Sequence, residues 1–174
     1  LEYQFWDYSN LEEIKLPPSL TSIGTGAFFG CEALKEITIP EGVTSIGKET
    51  FYQCTNLKTV TMLAEVVSVG DSAFFECSNL EKIEISKGLA NIGNKAFKGC
   101  IISEIKIAEG NITDYAFYEF ISLKKVDILD GVTSIGYGAF ARTSLENVTI
   151  RGGSIGECAF FECKSLQSLS LKSN

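Results

Sequence analysis

The residues best able to do chemistry in this 174-residue chain are its six cysteines. Cys31, Cys54, Cys77, Cys100 and Cys163 each stand three positions after a phenylalanine, while Cys158 falls outside that register. Thiols stacked in neighbouring coils could remain buried as small hydrophobes or close into a disulfide. A zinc set would need a C-x-x-C pair or a histidine, and the chain has neither. The missing histidine also removes the usual general base, so a serine or cysteine nucleophile lacks its activator. Carboxylates such as Glu84 and Asp127 could pair for glycosidase chemistry, but both sit in a periodic column. "GTGAFFG", Gly24 to Gly30, has the look of a phosphate loop but matches neither the P-loop nor the dinucleotide fingerprint. No catalytic, cofactor or metal set is expected. Cys158, at the position of Gly26 and Lys95, is the thiol expected to be exposed.

Those spacings come from a repeat. An isoleucine or valine at Ile23, Ile46, Val69, Ile92, Ile112, Ile135 and Ile155 is followed five residues later by Phe28, Phe51, Phe74, Phe97, Phe117, Phe140 and Phe160. The residue before each phenylalanine is alanine, or threonine at Thr50. Successive intervals are 23, 23, 23, 20, 23 and 20 residues. A fixed period in this range marks a solenoid, whose coils bury their apolar faces against one another.

Each coil also carries an L-x-x-I-x-I stretch, from Leu11-Ile14-Leu16 through Leu80-Ile83-Ile85 to Leu166-Leu169-Leu171. Period-two alternation and β-branched residues predict about eight short parallel strands in one curved sheet. The linking "PEGVTSIGKETFYQC" is too short for a crossover helix and predicts turns, a short extended piece and a helical or 3₁₀ turn through the phenylalanine. A glycine follows the isoleucine in every copy except at Thr113, as close approach or positive φ would require. Residues 1–174 are thus expected to form a single repeat domain. Because "FWDYSNL" aligns with the middle of a coil and neither end looks like a cap, the expectation is a segment of a longer array.

Composition narrows the partners. The charge of −7 opposes nucleic acid, and no apolar run is long enough to insert in a membrane. Two outward columns offer surfaces. The strand columns include Lys82, Glu84, Lys106 and Asp127; they are expected on a concave face and read either as cross-strand pairing or as a protein-binding surface. The position after each phenylalanine gives Trp6, Phe29, Tyr52, Phe75, Lys98, Tyr118, Ala141 and Phe161. Its rings read either as a stacked shield over the cysteine slot or as binding anchors. Asn111 and Asn147 match the glycosylation acceptor pattern, relevant only for a secreted eukaryotic chain.

The stretch "LKEITIPEGVTSIGKETFYQC" resembles the BspA-like, or type 5, leucine-rich repeat family almost letter for letter, with departures at Thr113, Phe120 and Thr143. The resemblance covers essentially the whole chain. It implies a leucine-rich-repeat solenoid that is cell-surface or secreted, acts in adhesion or protein binding with an extracellular protein ligand, and brings no catalytic residues. Two other roles stay open: a structural spacer presenting another module, and a carbohydrate-binding module that meets a glycan through the aromatic column.

Overall fold

The computed structural model describes residues 1–63, 68–84 and 91–171; of Lys82 and Glu84 it describes the strand backbone only, and Ile85 lies outside the described residues. The strands are β1 Glu36–Ile39, β2 Ser45–Ile46, β3 Thr59–Met62, β4 Ser68–Val69, β5 Lys82–Glu84, β6 Asn91–Ile92, β7 Glu104–Ile112, β8 Lys125–Ile135, β9 Asn147–Ile150, β10 Ser154–Ile155 and β11 Ser168–Leu171. There is no helix among the described residues. Every ladder is parallel and steps by one repeat, as in Ile37↔Val60↔Ile83 and Ile46↔Val69↔Ile92. This is the parallel solenoid that the periodicity predicts.

The sheet is divided differently from the single curved one expected. β1, β3 and β5 form a three-stranded sheet, and the other strands form an eight-stranded one. The T-S-I segments make a second column of two-residue strands, and β7 and β8 each run from one column straight into the other. Link length alone does not set this, since β8 belongs to a 23-residue coil while β9 and β10 stay separate across a link as short as that of β7. β8 pairs with β7 along its length and absorbs the length difference in register shifts after Ile107 and Gly110. The Leu11-Ile14-Leu16 stretch forms no strand. Pro17 and Pro18 follow directly and remove two N–H donors from any ladder there.

The core is a stack of phenylalanines. Rings of Phe5, Phe28, Phe51, Phe74 and Phe97 lie nearly parallel with centroids 5.2–5.4 Å apart, and Phe117, Phe140 and Phe160 carry the stack on. Phe28 through Phe140 in this column are fully buried, each contributing on the order of 1.5–3 kcal/mol by removal from water. The preceding residue must be small because it is buried against the next coil as well. Thr50 is tolerated because its hydroxyl meets the carbonyls of Gly47 at 2.8 Å and Gly24 at 3.1 Å.

Around each phenylalanine the chain is neither strand nor 3₁₀ helix. Residues two before and two after it take positive φ, as at Gly26 and Gly30, Glu49 and Gln53, and Tyr115 and Glu119. Amides of Gly26, Phe28 and Gly30 donate to carbonyls of Lys48, Thr50 and Tyr52 in the next coil, while those of Ala27, Phe29 and Cys31 close local turns. Every second peptide therefore points along the solenoid axis. A left-handed residue costs on the order of 1–2 kcal/mol; the ladder offsets that cost by satisfying each amide, which is why non-glycine residues hold most of these positions.

The glycine column after the isoleucine is a matter of close approach rather than φ. A Cβ on Gly47 would stand 2.6 Å from the Gly24 carbonyl carbon, closer than any real contact. Thr113, the exception, turns its hydroxyl onto the Ile92 carbonyl.

Candidate functional site

The register cysteines line an interior slot. Cys54, Cys77 and Cys100 each donate their thiol to the carbonyl of the phenylalanine one coil back, at 3.0–3.1 Å, and Cys31 does the same to Phe5. All six cysteines are free, with Cys158 exposed. Burial pushes the Cys31 thiol up to about 11 and holds those of Cys54 and Cys77 well above the ordinary range. These are inert thiols, the opposite of a reactive site. Where cysteine is replaced, the slot is filled in two other ways. Phe120 stacks on Phe97 and Phe117, and buried Thr143 donates to the Phe140 carbonyl at 2.8 Å. Among the described residues no group of three or more histidine, cysteine, aspartate or glutamate side chains gathers to hold a metal.

On the strand face, Lys106 is exposed and Asp127 half-buried, in register across β7 and β8. The Asp127 carboxylate is taken by Arg151, just past β9, at 3.2 Å. Arg151 was invisible as a partner in the sequence columns because it lies one residue beyond the strand motif. The side chains of Lys82 and Glu84 lie outside what the structure describes.

The aromatic column is the more ordered surface. Trp6, Phe29, Tyr52 and Phe75 stack face to face at 4.1, 4.7 and 4.8 Å with planes within 6° of parallel. Phe29, Tyr52, Phe75 and Tyr118 are half-buried, and Trp6 and Phe161 are 44% and 52% exposed. The rings thus shield one another through their faces and offer edges to solvent. Beyond Phe75 the column changes character: the Lys98 ammonium lies 6.0 Å from the Phe75 ring centre, and the coil of Ala141 contributes no ring.

At that break lies a cup of about 400 Å³. Tyr115, Tyr118, Tyr137 and Phe161 wall it, Ala141 is its buried floor, and Arg142 stands at its rim. Tyr115 stands edge-on to both Tyr118 and Tyr137, with centroids 5.6 and 5.5 Å away. A Cβ on Gly138 would come within 2.9 Å of the Tyr115 ring, so a larger residue there would push that ring aside. The Arg142 guanidinium is fixed by Glu162 at 2.8 Å, the Tyr118 hydroxyl at 3.2 Å and Glu119 at 3.6 Å. Lys98, bonded to Glu119 at 2.6 Å, holds that carboxyl below its usual range. Tyr118 and Phe161 stood out in the sequence; Tyr115, Tyr137 and Arg142 did not. Apart from Tyr3 in the column of Tyr115, their columns carry glycine, polar or charged residues and a cysteine elsewhere, and only alignment of those columns against the missing ring at Ala141 could have found them.

Comparison with known proteins agrees with this architecture. A leucine-rich cell surface protein of Faecalibacterium prausnitzii A2-165 matches at 33% identity and TM-score 0.78, over 89% of this chain and 44% of its own. A leucine-rich repeat protein from Bacteroides ovatus matches at 26% identity and TM-score 0.66, over 98% of this chain and 57% of its own. The T. pallidum leucine-rich repeat protein matches at 26% identity and TM-score 0.72, over 84% and 72%. The chain therefore spans only about half the length of the first two. No curated protein matches it. The family model for the BspA type leucine-rich repeat region matches in six copies across residues 1–113 and 110–174. With its phenylalanine stack, glycine column and thiol slot repeated at that same period, the chain belongs to the BspA-type leucine-rich repeat family.

Proposed function

We propose that this solenoid is a non-catalytic recognition module that binds an extracellular protein at a cell surface, in adhesion. The observation that carries the reading is the strip formed by Trp6, Phe29, Tyr52 and Phe75. These rings are locked parallel by their stacking and by a rigid backbone, so little side-chain entropy remains to be lost when a partner covers them. Tryptophan and tyrosine held in this way are the residue types that dominate binding energy at protein interfaces. The surface location is supported by the cell surface protein of F. prausnitzii, whose repeats this chain resembles. No helix among the described residues is long and apolar enough to cross a membrane.

The test is a multivalent display of the folded chain over an array of extracellular proteins. A saturable hit that Tyr52→Ala weakens tenfold or more supports the reading and places the contact on the strip. A hit indifferent to Tyr52→Ala and Trp6→Ala but lost on Lys106→Glu moves the contact to the strand face. A blank despite avidity rejects protein recognition and leaves the spacer role.

A further inference from the structure

We propose that the cup between Tyr118 and Phe161 binds a neutral pyranose ring of a glycan. In the ordered part of the aromatic column each coil supplies one ring, 4.1–4.8 Å from the next. The coil of Ala141 supplies none, so Tyr118 and Phe161 stand two coil rises apart, about 9.6 Å at the ~4.8 Å spacing of parallel strands. The Arg142 guanidinium lies 6.0 Å from the Tyr118 ring centre, and beside it the cavity of about 400 Å³ lies at the small end of ligand sites.

The lining selects the guest. A pyranose presents apolar C–H faces that pack on aromatic rings, and a rim of hydroxyls that need planar donors and acceptors. The aromatic walls give the faces, and Arg142, held in place by Glu119 and Glu162, gives the polar rim together with the Cys158 thiol. The guanidinium carries five N–H donors in a rigid fork, of which its contacts to Glu162, Tyr118 and Glu119 leave some free for a sugar hydroxyl. Lys98 and Arg142 are paired with Glu119 and Glu162, so these four leave no unpaired charge that calls for an ionic guest, while the Lys95 ammonium lies 5.9 Å from the Tyr118 ring centre. A purely aromatic guest would cover these polar groups without pairing them, which is costly. The site is separate from the Trp6–Phe75 strip, and the inference does not depend on protein recognition there.

The experiment applies the folded chain, as tetramers, to an array of neutral oligosaccharides built on glucose, galactose, mannose and N-acetylglucosamine. Retained sugars are then titrated against the monomer by saturation-transfer NMR. The expected result is a sugar bound with a millimolar Kd, weakened tenfold or more by Arg142→Ala and by Tyr118→Ala and untouched by Trp6→Ala. Ala141→Phe, which puts a ring into the gap, is expected to abolish binding while the chain still melts cooperatively. A blank array overturns the proposal, as does sugar binding that survives Ala141→Phe. Indole or tetramethylammonium occupying the cup in preference to every sugar, read from the tyrosine ring shifts, also overturns it and reassigns the site to an aromatic or cationic partner.

Discussion

From Trp6 to Phe75 the outer column is an unbroken stack of rings; from Lys98 to Phe161 it is a lysine, a tyrosine, a gap and a phenylalanine. Beneath both halves the construction is the same. The inner phenylalanines stack throughout, and the paired positive-φ residues recur on either side of each one. The fold therefore does not depend on the outer column, whose residues are free to differ from coil to coil. The regular half yields a uniform strip and the irregular half a shaped cavity, so a specific site arises where the repeat departs from itself.

If the inner stack carries both halves, breaking it should cost most. Phe74→Ala, fully buried between Phe51 and Phe97, is expected to lose about 3–5 kcal/mol of stability in chemical or thermal unfolding. An unchanged melting curve would show that this column is not the core.

The thiol slot is the next shared feature. The raised thiols of Cys31, Cys54 and Cys77 stay protonated in the fold above the pH near 9 at which the unfolded chain ionises them. The unfolded state then binds fewer protons, so stability is expected to fall as pH rises from about 9 toward 11. Serine at all three positions should flatten that slope. Native alkylation should label Cys158 first, half-buried Cys163 next, and Cys31, Cys54, Cys77 and Cys100 only after denaturation; rapid labelling of Cys77 would contradict the slot.

The outer column should matter less, and unequally. Tyr52→Ala removes a ring stacked on both faces and is expected to cost about 1–3 kcal/mol, against about 0.5–1 kcal/mol for Tyr118→Ala, which lacks a stacked neighbour. Equal losses would mean that stacking in the strip adds nothing. Smallest of all, Ala141→Phe is expected to change stability by no more than about 1 kcal/mol, since the new ring gains stacking while displacing nothing from the core. A larger loss would show that the walls of the cup already fill the gap.

Much of the fold was legible because its interactions are periodic: any residue that must be buried, small or unhindered in one coil must be so in the next. That logic identified the phenylalanine core, the strand columns, the glycine contacts and the buried cysteines, and it singled out Cys158 as off-register. It read the T-S-I segments as short extended pieces without pairing them into a second strand column, and it missed the positive-φ pairs. Residues such as Glu49, Gln53 and Arg142 carry no local preference for the left-handed region, and only hydrogen bonds to the neighbouring coil place them there. It also missed the straight runs of β7 and β8, which pair with each other along both columns.

By itself, then, the sequence determined the period, the coil interior and the family, because repetition writes the same physical requirement many times over. Tertiary structure alone decided which side chains meet between coils: the pairing of Arg151 with Asp127, and the gathering of Tyr115, Tyr137 and Arg142 around the ring missing at Ala141. Such contacts join residues some 20 or more positions apart that occur once each. No periodicity announces them; they exist only because stacking brings one irregular coil against another.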